Sequence, residues 1–386
     1  MSYGSSSAMS QTSSTDSAVH PLRRISASPI ITAVLFALVG RLLYSAIAAL
    51  SVPHLKLDPR LIYSNEFTEH LMSPAQGWWR YALLGVWERF DTLWYIHLAQ
   101  SGYDRPDAVV FYPLYPLLIA LSHLPPLVAS LVISTISSFL FAWGLQKLVV
   151  LDYSPKVGTR ALILYLVWPA GFMLFAGYPE SLLLCCVVWA IYFARTDRAW
   201  AAASMALLAG GTKAGGALVF LPITFIAIRN MKWRVLASGA AALVVPVAMA
   251  LWVDATGRMS AQQAYATYWR TTAALPWQTL WHGLTTPAPF VALNMLALCL
   301  LVVFVLAVGD RFEYAIFTLG AVGLFLSKET APVLQSTSRY VLVLFPAFID
   351  AGRIFQSRLR FTLFAVGLFL IAINVFEAFL DWYLVV

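Results

Sequence analysis

The segment 88-ERFDTLWYIHLAQSGYD-104 sets Glu88, Arg89 and Asp91 against a run of aromatic residues. An aspartate within hydrogen-bond reach of a hydroxyl can take its proton, which an inverting transfer to that hydroxyl requires. Asp91 is the candidate base, with Arg89 and Glu88 placed to position or tune it. The plainer reading makes Asp91 the N-cap of a helix, a place aspartate favours. A helix over 90–103 puts Asp91, Tyr95 and Leu98 on one face, since residues three and four apart are neighbours. Trp94 and Tyr95 suit a membrane–water interface. The spacing therefore predicts an amphipathic helix lying on an outer surface, with Asp91 at its start.

The elements that must hold this cluster are apolar. Of 386 residues, 60% are hydrophobic and 11% charged, against about 25% charged in soluble domains. The mean hydropathy is +0.76. These values predict an all-α, polytopic membrane protein. The net charge of +7 comes without a Lys/Arg-rich run or a nucleic-acid motif, so nucleic acid is not an expected partner. Cys185, Cys186 and Cys299 lie in apolar runs, with neither metal-ligand nor disulfide spacing.

Residues 1–28, rich in Ser, Thr and Ala, read as a disordered cytoplasmic tail. The run 30–52 follows Arg23 and Arg24 and reads as an uncleaved first span. Further apolar runs at 127–149, 160–177, 181–194, 199–212, 216–228, 235–253, 288–308, 314–327, 339–352 and 361–383 bring the expectation to about eleven crossings. With the N-terminus inside, the cytoplasmic connections carry Lys156, Arg195, Arg198, Arg229, Lys232, Arg234, Arg311, Arg353, Arg358 and Arg360, the basic bias expected of inner loops. The C-terminus then lies outside. The outer connections include a long first loop, 53–110, carrying interfacial helices, and a second, 254–287. Nearly every polar constellation falls in this outer set, the pattern of a site built at one membrane face.

Two later strings resemble parts of a known family when taken with the first. The combination 89-RFDTLWYIHLAQSGY-103, 111-FYPLYP-116, 178-YPES-181 and 338-SRY-340 resembles the PIG-V-type (GPI mannosyltransferase 2-like) family of GT-C glycosyltransferases. The resemblance runs thinly from about Arg89 to Tyr340. Phe90 stands where many relatives carry Trp, and Lys213 in 212-TKAGG-216 stands where Arg is expected. The resemblance implies a GT-C-like fold. It also implies transfer of a mannose or similar hexose from a polyprenyl-phosphate donor to a lipid, glycan or protein acceptor outside the cytoplasm. The catalytic acid of such enzymes lies in the first outer loop, where Asp91 falls.

On that reading the leaving group is a lipid phosphate, and cations that meet its growing charge lower the barrier. Arg339 suits this because guanidinium groups grip phosphate oxygens bidentately; Arg270 and Lys213 come next. Arg339 could instead be a snorkelling interfacial anchor. Glu180 follows Pro179 and reads equally as a helix-start acid or a substrate contact, with Tyr178 and Tyr340 beside the sugar. Asp104 and Asp107 are solvated turn residues, or help Asp91 hold a divalent cation; the spacing requires no metal, and the six histidines show no ligand spacing. The glycines of 209-AGGTKAGG-216 lack the phosphate-loop order and predict close helix packing. A plasma membrane is the expected setting, or the endoplasmic reticulum in a eukaryote. The rival function is a transporter or lipid flippase, which needs ionisable groups near the bilayer midplane; Arg41 is the candidate for that. A non-catalytic assembly subunit is the third.

Overall fold

The computed structural model describes residues 28–286, 294, 298, 311–331, 333–334 and 336–383. Apart from Ser28, the expected tail lies outside the described residues, as does most of the crossing expected at 288–308. The described chain is helical apart from loops and one short pair of strands distant in sequence. Leaving aside the short helices Pro59–Tyr63 and Trp78–Leu83, the helices in order are α1 (Pro29–Ser51), α2 (Asp91–Ser101), α3 (Leu114–Leu121), α4 (Pro126–Val149), α5 (Pro155–Val167), α6 (Glu180–Arg195) and α7 (Ala199–Thr212). They continue as α8 (Phe220–Arg229), α9 (Trp233–Ala255), α10 (Ala261–Tyr268), α11 (Pro276–Thr285), α12 (Phe312–Leu326), α13 (Thr337–Tyr340), α14 (Phe345–Ile354) and α15 (Arg358–Leu380). Strands β1 (Thr272–Ala273) and β2 (Lys328–Glu329) pair antiparallel.

Among the described residues, four helices are long and apolar enough to cross a membrane: α1 with its extension to His54, α4, α9 and α15. The helices α7, α8 and α12 are apolar but shorter. This is compatible with an all-α membrane protein.

Two of the expected crossings are broken, for reasons visible locally. The run 160–177 stops being α-helical at Val167, and Trp168 is extended (ψ 142), because the residue before a proline is driven out of the helical region. The run 339–352 is three pieces, α13, a 3-10 turn and α14, interrupted at Leu344 (φ -80, ψ 55). Breaks free backbone carbonyls, which are costly to bury unpaired. Neighbouring side chains take them up. Tyr165 donates to the Leu342 carbonyl (2.9 Å) and the Trp168 indole to that of Ser338 (2.9 Å). Ser138 donates to Leu174 O (2.7 Å) and Tyr44 to Leu166 O (2.6 Å).

Glycine sets two close approaches. A Cβ on Gly210 would lie 2.1 Å from the Ala242 carbonyl oxygen, so α7 and α9 pack through backbone, as small-residue interfaces allow. A Cβ on Gly177 would lie 2.5 Å from Thr92 Cγ2 and 2.7 Å from Ser130 Oγ. Gly177 thus lets the turn leading into α6 press against α2. Beneath that junction Tyr44, Phe172, Phe175, Phe376 and Phe379 form a buried aromatic core.

Helix α6 is 16 residues long, about 23 Å at 1.5 Å per residue. Glu180 starts it and Arg195 ends it, so an acid faces the positive end of the helix dipole and a base the negative end. These two ends define two polar layers. At the Arg195 end, Arg195 binds Asp152 (2.5 Å), Lys232 binds Asp197 (3.1 Å), and Arg160 donates to the Gly352 carbonyl (3.4 Å). The other layer holds the candidate site.

Candidate functional site

Helix α2 delivers Asp91. The residue before it, Phe90, has φ 47 and ψ -120, a conformation that costs a non-glycine residue energy and persists only where packing enforces it. Here the enforcing contacts are Phe379 and Trp382, each with its ring centroid 5.6 Å from that of Phe90. The capping reading is corrected: Phe90 occupies the cap position, no side chain caps this helix, and Asp91 is its first residue. The Asp91 carboxylate instead meets Arg339 Nη2 at 2.7 Å.

The expected surface helix is corrected too. Trp94, Tyr95 and Leu98 are buried. Trp94 stacks on Phe111 (5.1 Å) and lies 5.5 Å from Trp269; Tyr95 meets Phe111 and Tyr115 edge-on at 5.2 and 5.0 Å. Aromatic spacing fixes which face is apolar, but not whether lipid or folded chain covers it.

Glu180, 1% exposed, joins two cations. Its Oε1 accepts from Arg339 Nε (2.5 Å) and from Lys213 Nζ (2.8 Å). Arg339 therefore bridges both carboxylates, and its guanidinium lies over the Tyr178 ring at 4.6 Å. Lys213 sits 5.4 Å from the Tyr340 ring centroid. Lys213 is held below its usual pKa by burial and by Arg339, with Glu180 opposing them. Four positions spread from 91 to 339 thus form one ionic chain: Asp91, Arg339, Glu180, Lys213.

This chain lines a cleft of about 1300 Å³, its open mouth included. Asp91, Tyr95, Glu180, Lys213, Arg339 and Tyr340 reach it, as the sequence leads one to expect. Tyr178 does not line it; it supports Arg339 from beneath. The walls include Phe111, Tyr112, Tyr265, Trp269 and Phe325. Lys328 also lines the cleft, 4.4 Å from the Tyr265 ring centroid. Sequence reasoning missed it because Lys328–Glu329 looks like an ordinary solvated pair. Burial, then Lys213, lower the Lys328 pKa to about 8. Among the described residues three cations face two carboxylates, so their lining carries one net positive charge.

Other candidates lie elsewhere. Arg89 is 1% exposed and structural. It donates to the carbonyls of Gly85 (3.1 Å) and Leu380 (3.4 Å) and to the Tyr81 hydroxyl (2.9 Å), and stacks 4.5 Å over Trp382. Arg270 is exposed at φ 46 and does not line the cleft. Asp104 pairs with His97 (2.8 Å) and Asp107 with Arg105 (2.9 Å), so neither joins Asp91. No group of three or more His, Cys, Asp or Glu among the described residues is placed to hold a metal. Arg41 donates to Thr135 (2.6 Å) and to the Leu131 carbonyl (2.9 Å), beside the Trp87 and Phe175 rings. It fastens α1 to α4.

Chemically, the cleft can take an anion on its cations, a flat or ring-shaped group on its aromatic wall, and a proton on Asp91. The Asp91 side chain keeps 20% of its surface exposed, against 1% for Glu180, so it is the carboxylate a substrate can reach. No protein-family model matches this chain, and no curated protein matches it.

Proposed function

We propose that this chain is a polytopic GT-C-type glycosyltransferase that moves a hexose from a polyprenyl-phosphate donor to an acceptor hydroxyl, with inversion. The carrying observation is the 2.7 Å pair between Asp91 and Arg339 in an aromatic-walled cleft. A base and a phosphate-binding cation stand side by side, as transfer from a glycosyl phosphate requires. Mannose is the sugar by family resemblance.

In the step proposed, Asp91 takes the proton of the acceptor hydroxyl. The acceptor oxygen bonds to the anomeric carbon from the face opposite the phosphate. The bond from that carbon to the phosphate oxygen breaks, and its electron pair leaves with the lipid phosphate. Arg339 meets that charge, because a guanidinium that bonds Asp91 in the resting site can turn the same edge to phosphate oxygens. Aromatic faces line the sugar's place. Glu180 fixes Arg339 and Lys213.

The setting follows the same reading. The layer at the Arg195 end of α6 also holds Arg198, Lys232, Arg311 and Arg353, a basic bias that supports placing it in the cytoplasm. The cleft then faces outward, the N-terminus lies inside, and about eleven crossings carry the chain to an outside C-terminus in the plasma membrane. A transporter is less well supported, since Arg41 is tied to α4.

The test is transfer by the purified protein from labelled polyprenyl-phosphate-mannose to a panel of lipid, glycan and protein acceptors. Asp91→Asn should cut the rate about 10²–10⁴-fold, the usual weight of general base catalysis. Equal transfer by wild type and variant would rule out the base.

A further inference from the structure

We infer that Lys328, carried into the cleft by the β1–β2 strand pair, is the cation that first takes the donor's phosphate, while Lys213 serves to hold Glu180. This rests on the reading of the donor as a lipid-linked phosphate and assigns one contact within it.

The charges point this way. Arg339 is shared by Asp91 and Glu180, and Lys213 is bound by Glu180. Lys328 has no carboxylate partner among the described residues; its near neighbour is the Tyr265 ring. Its own sequence neighbour cannot serve. Successive strand residues point to opposite faces, and Glu329 turns away to His282 Nδ1 at 2.6 Å. A half-buried ammonium without a counter-ion is unfavourable, and here a second ammonium, Lys213, repels it. An anion bound at Lys328 removes that penalty without breaking an existing pair. An anion on Arg339 or Lys213 must compete with a carboxylate already in place. A phosphodiester carries one negative charge, and the cleft has one positive charge unmatched.

The pairing of β1 with β2 makes this placement firm. Thr272 pairs with Glu329 and Ala273 with Lys328. Ala274 N donates to the Ser327 carbonyl (3.0 Å), and Thr279 to that of Leu326 (2.8 Å). The segment carrying Tyr265 and Trp269 is thereby fastened to the turn carrying Lys328. The same fastening brings an aromatic wall and a cation to one side of the cleft.

The assignment divides the work. Lys328 supplies ground-state affinity for the phosphate. Arg339 acts as charge develops, when leaving Asp91 is repaid by the departing phosphate. Lys328 variants should therefore raise KM for the donor more than they lower kcat.

The experiment is binding of farnesyl phosphate to the full-length protein in nanodiscs, followed by tryptophan fluorescence, with farnesol and inorganic phosphate as separate arms. Lys328→Gln should weaken farnesyl phosphate at least about 10-fold and leave farnesol unchanged; Lys328→Arg should restore binding to within about 3-fold. Wild-type affinity should fall as pH rises through about 8, where Lys328 loses its proton. Lys328→Arg should flatten that profile, since guanidinium keeps its charge. The ligand does not confuse the reading, because a phosphate monoester has its second pKa near 6 and is almost fully ionised before pH 8. Of the groups around Lys328, namely Lys213, Tyr265, Arg339, Tyr340, Asp91 and Glu180, Lys213 also loses its proton below the usual lysine range. Lys213→Gln is therefore run beside it and should keep the fall but move it above pH 8, since one of the two causes that lower the Lys328 pKa is gone. Unchanged farnesyl phosphate affinity in Lys328→Gln, an unflattened profile in Lys328→Arg, or inorganic phosphate binding as tightly as the lipid would each overturn the assignment. Lys328-dependent binding with no sugar transfer to any acceptor would instead overturn the glycosyltransferase reading alone.

Discussion

Glu180 and Asp152 are two buried carboxylates, each clamped by two cations, at opposite ends of one helix. Glu180 starts α6 and binds Lys213 and Arg339. Asp152 sits beside the other end and binds Arg195 and Arg311, with the Tyr314 hydroxyl joining through Arg195. The chemistry is nearly the same, and the exposures match at 1% and 4%. What differs is the surroundings. The Asp152 cluster ties the turn after α4 to the ends of α6 and α12, and it closes on itself. The Glu180 cluster runs on through Arg339 to Asp91, whose carboxylate is 20% exposed in a cleft. A buried ion pair alone is weak evidence of function, since structure uses the same pairs. The added reachable acid and the unmatched cation separate a site from a clamp.

Substitutions can break this contrast. The largest effect expected is on turnover: Asp91→Asn should lose about 10²–10⁴-fold in rate while its thermal unfolding stays near wild type. Asp152→Asn should do the reverse. It leaves Arg195 and Arg311 without their shared partner, which costs about 3–5 kcal/mol when a buried pair is broken, and the activity per folded molecule should hold. If Asp152→Asn lowers kcat as much as Asp91→Asn, the two clusters are not different in kind. A smaller effect sharpens the boundary of the site. Arg89→Lys cannot satisfy the Gly85 and Leu380 carbonyls and the Tyr81 hydroxyl together, so unfolding in detergent should show a loss of about 1–3 kcal/mol, with donor KM unchanged. Smallest of all, Arg270→Ala should change stability by less than about 0.5 kcal/mol and leave transfer intact; a marked loss of transfer would bring that exposed residue back into the site.

Much of the site could be read from short strings. Asp91, Glu180, Lys213 and Arg339 stand out as charges in greasy surroundings, and all four line one cleft. Arg89 was misplaced because a charge beside a candidate base looks like its helper; its guanidinium in fact reaches back to the preceding turn and across to the end of α15. Arg270 failed for the opposite reason, since a cation among aromatics resembles a phosphate grip until its backbone turns it outward. Lys328 was hidden by Glu329. Adjacent opposite charges suggest a solvated pair, and only the strand alternation sends one to the cleft and the other to His282.

Composition by itself settled that the chain is helical and apolar, because so few charges leave most backbone groups to pair within helices. It also marked the acids and bases that could do chemistry, because charge is costly in such surroundings. Where helices break was partly local: Pro169 ends α5 through its steric demand on Trp168. Tertiary structure alone decided which charges meet. Asp91 and Arg339 are separated by most of the chain, and an ion pair needs its atoms within a few ångströms. It also decided that α2 is walled by Phe111 and Trp269, and that Lys328 has no carboxylate partner among the described residues, since a counter-ion is a fact of position rather than of residue type.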